Sequence, residues 1–143
     1  MPTVQQVLAR KGRDVSTIDP DATVFDAIAE MTDKDIGALL VMEGKQVVGL
    51  VSEREYTRKV ALSGRSSRDT RVRDIMLPDP PSVSPDTDLD TCMAMMTKTR
   101  CRYLPVMSDA ELVGIISIGD LVAEIIAEQQ STIDHLERYI ASG

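Results

Sequence analysis

Gly49-Leu50-Val51-Ser52-Glu53-Arg54-Glu55 returns sixty-five positions later as Gly114-Ile115-Ile116-Ser117-Ile118-Gly119-Asp120. Both stretches read as glycine, two aliphatic residues, serine, two further residues and an acid. Outward from them the register holds without a gap. Thr17–Tyr56 laid on Ser82–Leu121 puts apolar positions on apolar positions. Identical residues meet at Pro20/Pro85, Asp21/Asp86, Ala29/Ala94, Met31/Met96, Thr32/Thr97, Leu39/Leu104, Val41/Val106, Met42/Met107 and Val48/Val113. So long a period, present only twice, is not a solenoid. It predicts two copies of one supersecondary unit that bury their hydrophobic faces against each other, with a shared crevice of two related halves.

Each copy reads as strand, helix, strand, strand, helix. In the first, Val15–Ile18 is a short strand broken by Asp19-Pro20-Asp21. Thr23 then stands as N-cap with Asp26 three residues on, and Val24, Ala27, Ile28 and Met31 recur at helical spacing. Gly37 is expected to end that helix. Leu39–Met42 and Gln46–Val51 form a hairpin about Glu43-Gly44-Lys45, and Ser52 caps a second helix through about Leu62, closed by Gly64. The second copy gives a strand at Ser82–Ser84, a helix from about Leu89 to Thr97, strands at Tyr103–Met107 and Leu112–Ile116 about a turn at Ser108-Asp109-Ala110, and a helix from Gly119. That last helix carries Leu121, Val122, Ile125, Ile126, Ile133, Leu136 and Ile140, so an amphipathic extension is expected to pack on a partner or on an N-terminal helix at Val4–Ala9. The segment Ser63–Asp74, with Arg65, Arg68, Arg71 and Arg73, reads as a polar linker.

Ser-x-x-Glu or Ser-x-x-Asp after a strand is, on its own, a capping box. Capping accounts for the serine and the acid, but not for the glycine or for the recurrence of the whole junction. Such a junction also suits a nucleotide. A helix N-terminus offers free N–H groups and positive dipole to a phosphate. The serine hydroxyl can donate to a phosphate oxygen, and a carboxylate one turn in can accept both hydroxyls of a ribose.

The paired units, with Ile36-Gly37-Ala38-Leu39-Leu40-Val41 in one, Arg102-Tyr103-Leu104-Pro105-Val106 in the other and the Gly-Ser-acid motif in both, resemble a tandem of CBS domains, named for cystathionine β-synthase. The likeness spans about residues 10–128. Ser52-Glu53-Arg54-Glu55-Tyr56, Arg58-Lys59-Val60 and Gly64-Arg65-Ser66-Ser67 resemble a subgroup of stand-alone CBS-pair proteins of bacteria and plant organelles. The resemblance implies a mixed α/β (α+β) fold, with one unit over 10–64, a second over 65–128 and a C-terminal helical extension over 129–143. It implies clefts that bind AMP, ATP, NAD(H) or S-adenosylmethionine, and here an adenine nucleotide whose occupancy is passed to a partner protein.

Carried over residue by residue, Asp120 matches the ribose acid and Ser117 the phosphate hydroxyl, with Ser82, Val83, Arg102, Tyr103, Leu104 and Pro105 lining the base pocket. In the first unit Ser52 and Glu55 take the motif places, with Thr17, Ile18, Gly37 and Ala38 as lining. A Glu carboxylate stands one C–C bond further out, so the second unit is expected to hold the better ribose contact. Arg54, Arg58, Lys34, Arg100 and Arg102 are the candidate phosphate cations. Each alone reads as a surface charge, and Arg54 and Arg102 are expected to converge from the two units on one ligand.

Composition narrows the alternatives. Of 143 residues 43% are hydrophobic and 27% charged, as in a soluble globular protein, with one Phe, three Tyr and no Trp. A net charge of −7 argues against nucleic-acid polymers, which need a basic face, and leaves small anions open. Cys92 and Cys101 read as reduced, part-buried thiols, Met31, Met42, Met95, Met96 and Met107 as adaptable core packing, and the lone His135 as no metal ligand. No signal peptide or membrane span is evident, which gives the expectation of a cytoplasmic protein. No nucleophilic constellation can be assembled with one distant histidine, so no enzyme is expected. CBS pairs also resemble the inserted regulatory part of inosine monophosphate dehydrogenase, whose chemistry resides in a barrel of about 250 residues. Relation to that enzyme as an accessory subunit, and a ligand-free dimerisation scaffold, are the alternatives to a homodimeric nucleotide sensor.

Overall fold

Thr23 Oγ1 accepts the Asp26 N–H at 3.1 Å and starts α2 (Val24–Lys34) where its capping signal predicted. Asp88 does the same for α5 (Leu89–Thr99), accepting the Thr91 N–H at 2.7 Å. The computed structural model describes residues 2–142. Before α2 come α1 (Val4–Lys11) and β1 (Thr17–Ile18); after it come β2 (Ala38–Glu43), β3 (Gln46–Ser52) and α3 (Glu53–Tyr56). Then follow α4 (Val72–Ile75) and β4 (Leu77–Pro78), and, beyond α5, β5 (Tyr103–Ser108), β6 (Glu111–Ser117) and α6 (Ile118–Ser142). The fold is mixed α/β, with a short N-terminal and a long C-terminal helix.

Two compact units result, and neither is contiguous in sequence. One gathers the N-terminal segment through Arg13 with Ser82–Ser108 and the chain from Gly114 onward; the other comprises Asp14–Pro81 and Asp109–Val113. In the latter a four-stranded sheet runs β1-β2-β3-β4, parallel between β1 and β2 and antiparallel thereafter. Its core joins Val24, Ala27 and Met31 of α2 to Leu39, Val41 and Val51 of the sheet, Val60, and Val72 and Ile75 of α4. The strands β5 and β6 form a second, two-stranded sheet.

The segment expected to be a polar linker therefore does more. Val72 and Ile75 are fully buried, and β4 adds a fourth strand beside Gly49 and Leu50. Its arginines hold it in place: Arg73 reaches Asp21 Oδ1 through Nε and Nη2 at 3.0 and 2.8 Å, and Arg71 donates to the Asp21 carbonyl at 2.9 Å. Arg68 lies 4.0 Å from the centroid of the Phe25 ring, a cation–π contact.

This leader segment, Arg71–Met76, precedes the second repeat but docks on the first. Val72 and Arg73 donate backbone N–H groups to Ala22 and Pro20, and Val24 donates to Thr70, at 2.8–2.9 Å. The segment before the first repeat mirrors it on the second. Val4 and Gln5 donate to Thr87 and Pro85 at 2.9 Å, and Leu89 donates to Pro2 at 3.1 Å. The repeat bodies are related by sixty-five positions and their leaders by sixty-eight, as Val4/Val72 and Leu8/Met76 show.

The motif glycine is explained by this docking. A Cβ on Gly49 would lie 2.4 Å from Met76 Sδ and 3.1 Å from the Leu77 carbonyl; one on Gly114 would lie 2.7 Å from Leu8 Cδ2. Each glycine is where a leader side chain presses on its strand.

Several local expectations are corrected. Helix α2 ends at Asp35, in left-handed conformation at φ 53°, and not at Gly37; Arg100 ends α5 in the same way at φ 57°. The strand expected at Ser82–Ser84 shrinks to one parallel bridge, Val83 to Val106. In the first repeat Leu40 donates its N–H to Ser16 at 3.2 Å; its counterpart Pro105 has no N–H to give. The helix capped by Ser52 stays α-helical only to Tyr56 and then widens into a π turn, Thr57–Ala61. The C-terminal stripe does not cover itself on α1. The two helices join near the start of α6 through Arg10 and Glu124 at 2.7 Å, while Ile126, Ile133, Leu136 and Ile140 are 48–75% exposed.

Adding a methyl group at either motif glycine is expected to destabilise the fold by about 1–3 kcal/mol, the usual cost of overpacking. Urea unfolding of Gly49→Ala and Gly114→Ala measures it. Because the clash is with a leader side chain, Met76→Ala should remove at least half the cost of Gly49→Ala, whereas an unrelated core truncation should not.

Candidate functional site

The strand-to-helix junctions at Ser52 and Ser117 are built alike and satisfied differently. At the first, Ser52 donates both its backbone N–H and its hydroxyl to Glu55 Oε1, at 2.9 and 2.6 Å. Ser52 is 6% exposed, so its hydroxyl is committed inside the junction. The Glu53 N–H is taken by the Gly37 carbonyl at 3.2 Å, and Ala38 pairs with Ser52, which brings Gly37 and Ala38 to the head of α3. Thr17 and Ile18 lie on the next strand, opposite Leu40 and Val41. Lys34 is paired with Glu30 at 2.7 Å and lies 3.4 Å from Ser16 Oγ, at the start of β1. Arg54 is half-buried on α3; Arg58, on the π turn, is exposed.

At the second junction the Ser117 N–H donates to Asp120 Oδ2 at 2.8 Å, and the Asp120 N–H donates to Ser117 Oγ at 3.1 Å. The Arg102 carbonyl accepts the Ile118 N–H at 2.9 Å, as Gly37 does for Glu53. Val83 donates to the Pro105 carbonyl at 3.1 Å and accepts from Met107 at 2.8 Å. Ser82, Val83, Arg102, Tyr103, Leu104 and Pro105 are thus gathered with Ser117 and Asp120 around one end of the β5–β6 pair. Leu104 and Pro105 are buried, Tyr103 is half-buried, and Arg102 and Ser82 are exposed.

One partner of this junction was not read from sequence. Lys11, at the end of α1, donates to Asp120 Oδ2 at 2.6 Å and to the Ile115 carbonyl at 2.9 Å. It lies 109 residues from Asp120, and its only signal was the leader offset that sets Leu8 against Gly114. The acid is therefore neutralised by a lysine while the side chains keep 30% and 23% of their surface in solvent.

Elsewhere, Cys92 and Cys101 are buried thiols outside any disulfide, and burial pushes the Cys92 thiol up to about 11, which keeps it protonated and unreactive near neutral pH. Met31 and Met96 are buried in the core and Met42, Met95 and Met107 half-buried, as expected of packing residues. Among the described residues no group of three metal-ligating side chains forms, and no helix is long and apolar enough to cross a membrane.

The family model for the CBS domain matches the chain twice, over residues 6–62 and 72–127. The mitochondrial CBS domain-containing protein CBSX3 of Arabidopsis thaliana is 35% identical over 99% of this chain and 73% of its own length. A solved protein with CBS domains from Burkholderia ambifaria, described as a candidate for signal transduction, is 47% identical over 90% of this chain and 96% of its own, with a TM-score of 0.86. The crystal structure of a CBS domain, NE2398, is 41% identical over 87% of this chain and 98% of its own, with a TM-score of 0.83. With both repeats matched and the relatives aligned along nearly the whole chain, this protein belongs to the CBS domain family and carries a pair of CBS domains.

Proposed function

We infer that the chain is a regulatory module that binds an adenine nucleotide at the Ser117–Asp120 junction and passes its occupancy to a partner protein. The observation that carries this reading is the junction itself: a half-buried carboxylate and a serine at the head of a helix, beside the backbone of Arg102–Pro105 and Val83. CBS-domain proteins of this kind are typically regulatory, and CBS domains generally bind adenosine-containing ligands. AMP, ATP and NAD(H) share the adenosine half that these residues would hold, so the proposal is for the class. The first-repeat junction is the weaker candidate, because the Ser52 hydroxyl is already spent on Glu55. The module is read as non-catalytic and cytoplasmic.

The module is also read as a homodimer. Along α6, Val122, Ile126, Gln129, Ile133, Leu136 and Ile140 alternate at spacings of four and three, a heptad seam with Ile at each a position. The apolar members are 43–75% exposed. That seam also favours the simpler alternative of a dimerisation scaffold without ligand, and calorimetry separates the two.

Titration with AMP should give saturable binding. Asp120→Ala should weaken it by about 1.5–3 kcal/mol, the range for a hydrogen bond to a charged group, and Glu55→Ala by less. Equal losses would reverse the ranking of the two junctions, and absence of binding by the wild-type chain would favour the scaffold.

Light scattering should give twice the 15.7 kDa of one chain at micromolar concentration. A paired Ile133→Asp and Leu136→Asp variant should give that single mass with its melting temperature little changed.

A further inference from the structure

The ion pair at the second junction bears on which ligands can enter it. Asp120 Oδ2 already accepts the Ser117 N–H and the Lys11 ammonium, at 2.8 and 2.6 Å, which fills both lone pairs of that oxygen. A vicinal diol that uses both carboxylate oxygens must therefore displace one of these donors, and the Lys11 side chain can swing away whereas the Ser117 N–H is fixed in the backbone. A partly exposed pair of this kind is weak enough for a ligand to open.

The displaced ammonium keeps its bond to the Ile115 carbonyl, two residues before Ser117. It remains beside the N-terminus of α6, where the helix dipole favours an anion. A ligand that carries a diol and a phosphate satisfies both halves of the opened pair. A nucleoside satisfies the acid and leaves a lysine without counter-charge.

We propose that Lys11 is a specificity-determining residue, which competes for Asp120 in the free protein and is transferred to the ligand's phosphate on binding, so that the site selects nucleotides over nucleosides. The inference rests on the nucleotide reading of the same junction. It belongs to the second repeat alone, because the residue at the matching place in the other leader, sixty-eight positions on, is the acid Asp79. The transfer also gives α1 a ligand-dependent contact, since Lys11 is the last residue of that helix.

The test compares AMP with adenosine by calorimetry on the full chain, in wild type, Lys11→Met and Lys11→Arg, with melting temperatures recorded for each. Wild type should prefer AMP by about tenfold or more, and Lys11→Met should reduce the preference to below about threefold without weakening adenosine. Lys11→Arg should keep most of it. In the wild-type protein the ammonium NMR resonance of Lys11, assigned by its loss in Lys11→Arg, should move with AMP and shift differently with adenosine; this readout does not depend on how a variant folds. An unchanged preference in a folded Lys11→Met protein, or identical Lys11 shifts with both ligands, overturns the role given to Lys11 while leaving the nucleotide site standing. Failure of wild type and Lys11→Met to bind either compound overturns the nucleotide reading, and Lys11 is then a structural clamp for α1.

Discussion

Close approach of a leader side chain to a glycine in the middle of a strand is the contact on which the rest of this structure depends. Met76 against Gly49 and Leu8 against Gly114 fix where each leader lies on its sheet. Matching backbone hydrogen bonds then zip the leader to the repeat body, Val4 and Gln5 to Thr87 and Pro85 in one unit, Val72 and Arg73 to Ala22 and Pro20 in the other. Directional bonds of this kind hold position, while burial of Val4, Val7, Leu8, Val72 and Ile75 supplies the driving force. In the second unit the same docking carries Lys11 to Asp120. The candidate site is therefore assembled by a helix that lies more than a hundred residues from it in the chain.

The serine and acid of the motif serve the fold before they serve any ligand. Each pair closes a capping box at a strand-to-helix junction, and this alone is reason for both residue types. A ligand that used Asp120 would compete with the Ser117 N–H and with Lys11, so binding and local stability draw on the same atoms. Coupling of that sort is what a sensor requires, because a ligand shifts a conformational equilibrium only as far as it distinguishes the two states.

The two repeats share a register but have diverged at the places where a ligand would matter. Pro105 stands for Leu40 and reduces the parallel strand to a single bridge. Asp120 stands for Glu55, whose longer chain folds back onto the Ser52 hydroxyl. The helix after the first junction widens into a π turn, whereas the one after the second continues for twenty-five residues, roughly 37 Å. At one junction the acid takes the serine hydroxyl, and at the other the acid is partly exposed and paired with Lys11.

The sequence by itself determined the repeat, its register and most element types. Period-two and helical spacings of apolar residues are local properties, and Thr23, Ser52 and Ser117 signal helix starts through short-range bonds. The pairing of Gly37 with Glu53 and of Arg102 with Ile118 at the junctions also follows once the hairpin register is known. Local signals misplaced the end of α2, because Asp35 adopts a left-handed conformation that glycine takes up at no steric cost, and they overstated a strand at Ser82–Ser84 because the missing donor belongs to Pro105, on another segment. Only the tertiary structure decided which repeat each leader covers. Val4–Leu8 and Val72–Met76 are equivalent apolar segments, and nothing in their local pattern says that each docks on the repeat it does not precede. Both sheets offer the motif glycine, so the choice rests on the whole set of contacts that each leader makes, Arg71 and Arg73 on Asp21 in one unit and Lys11 on Asp120 in the other, and it alone places Lys11 on Asp120.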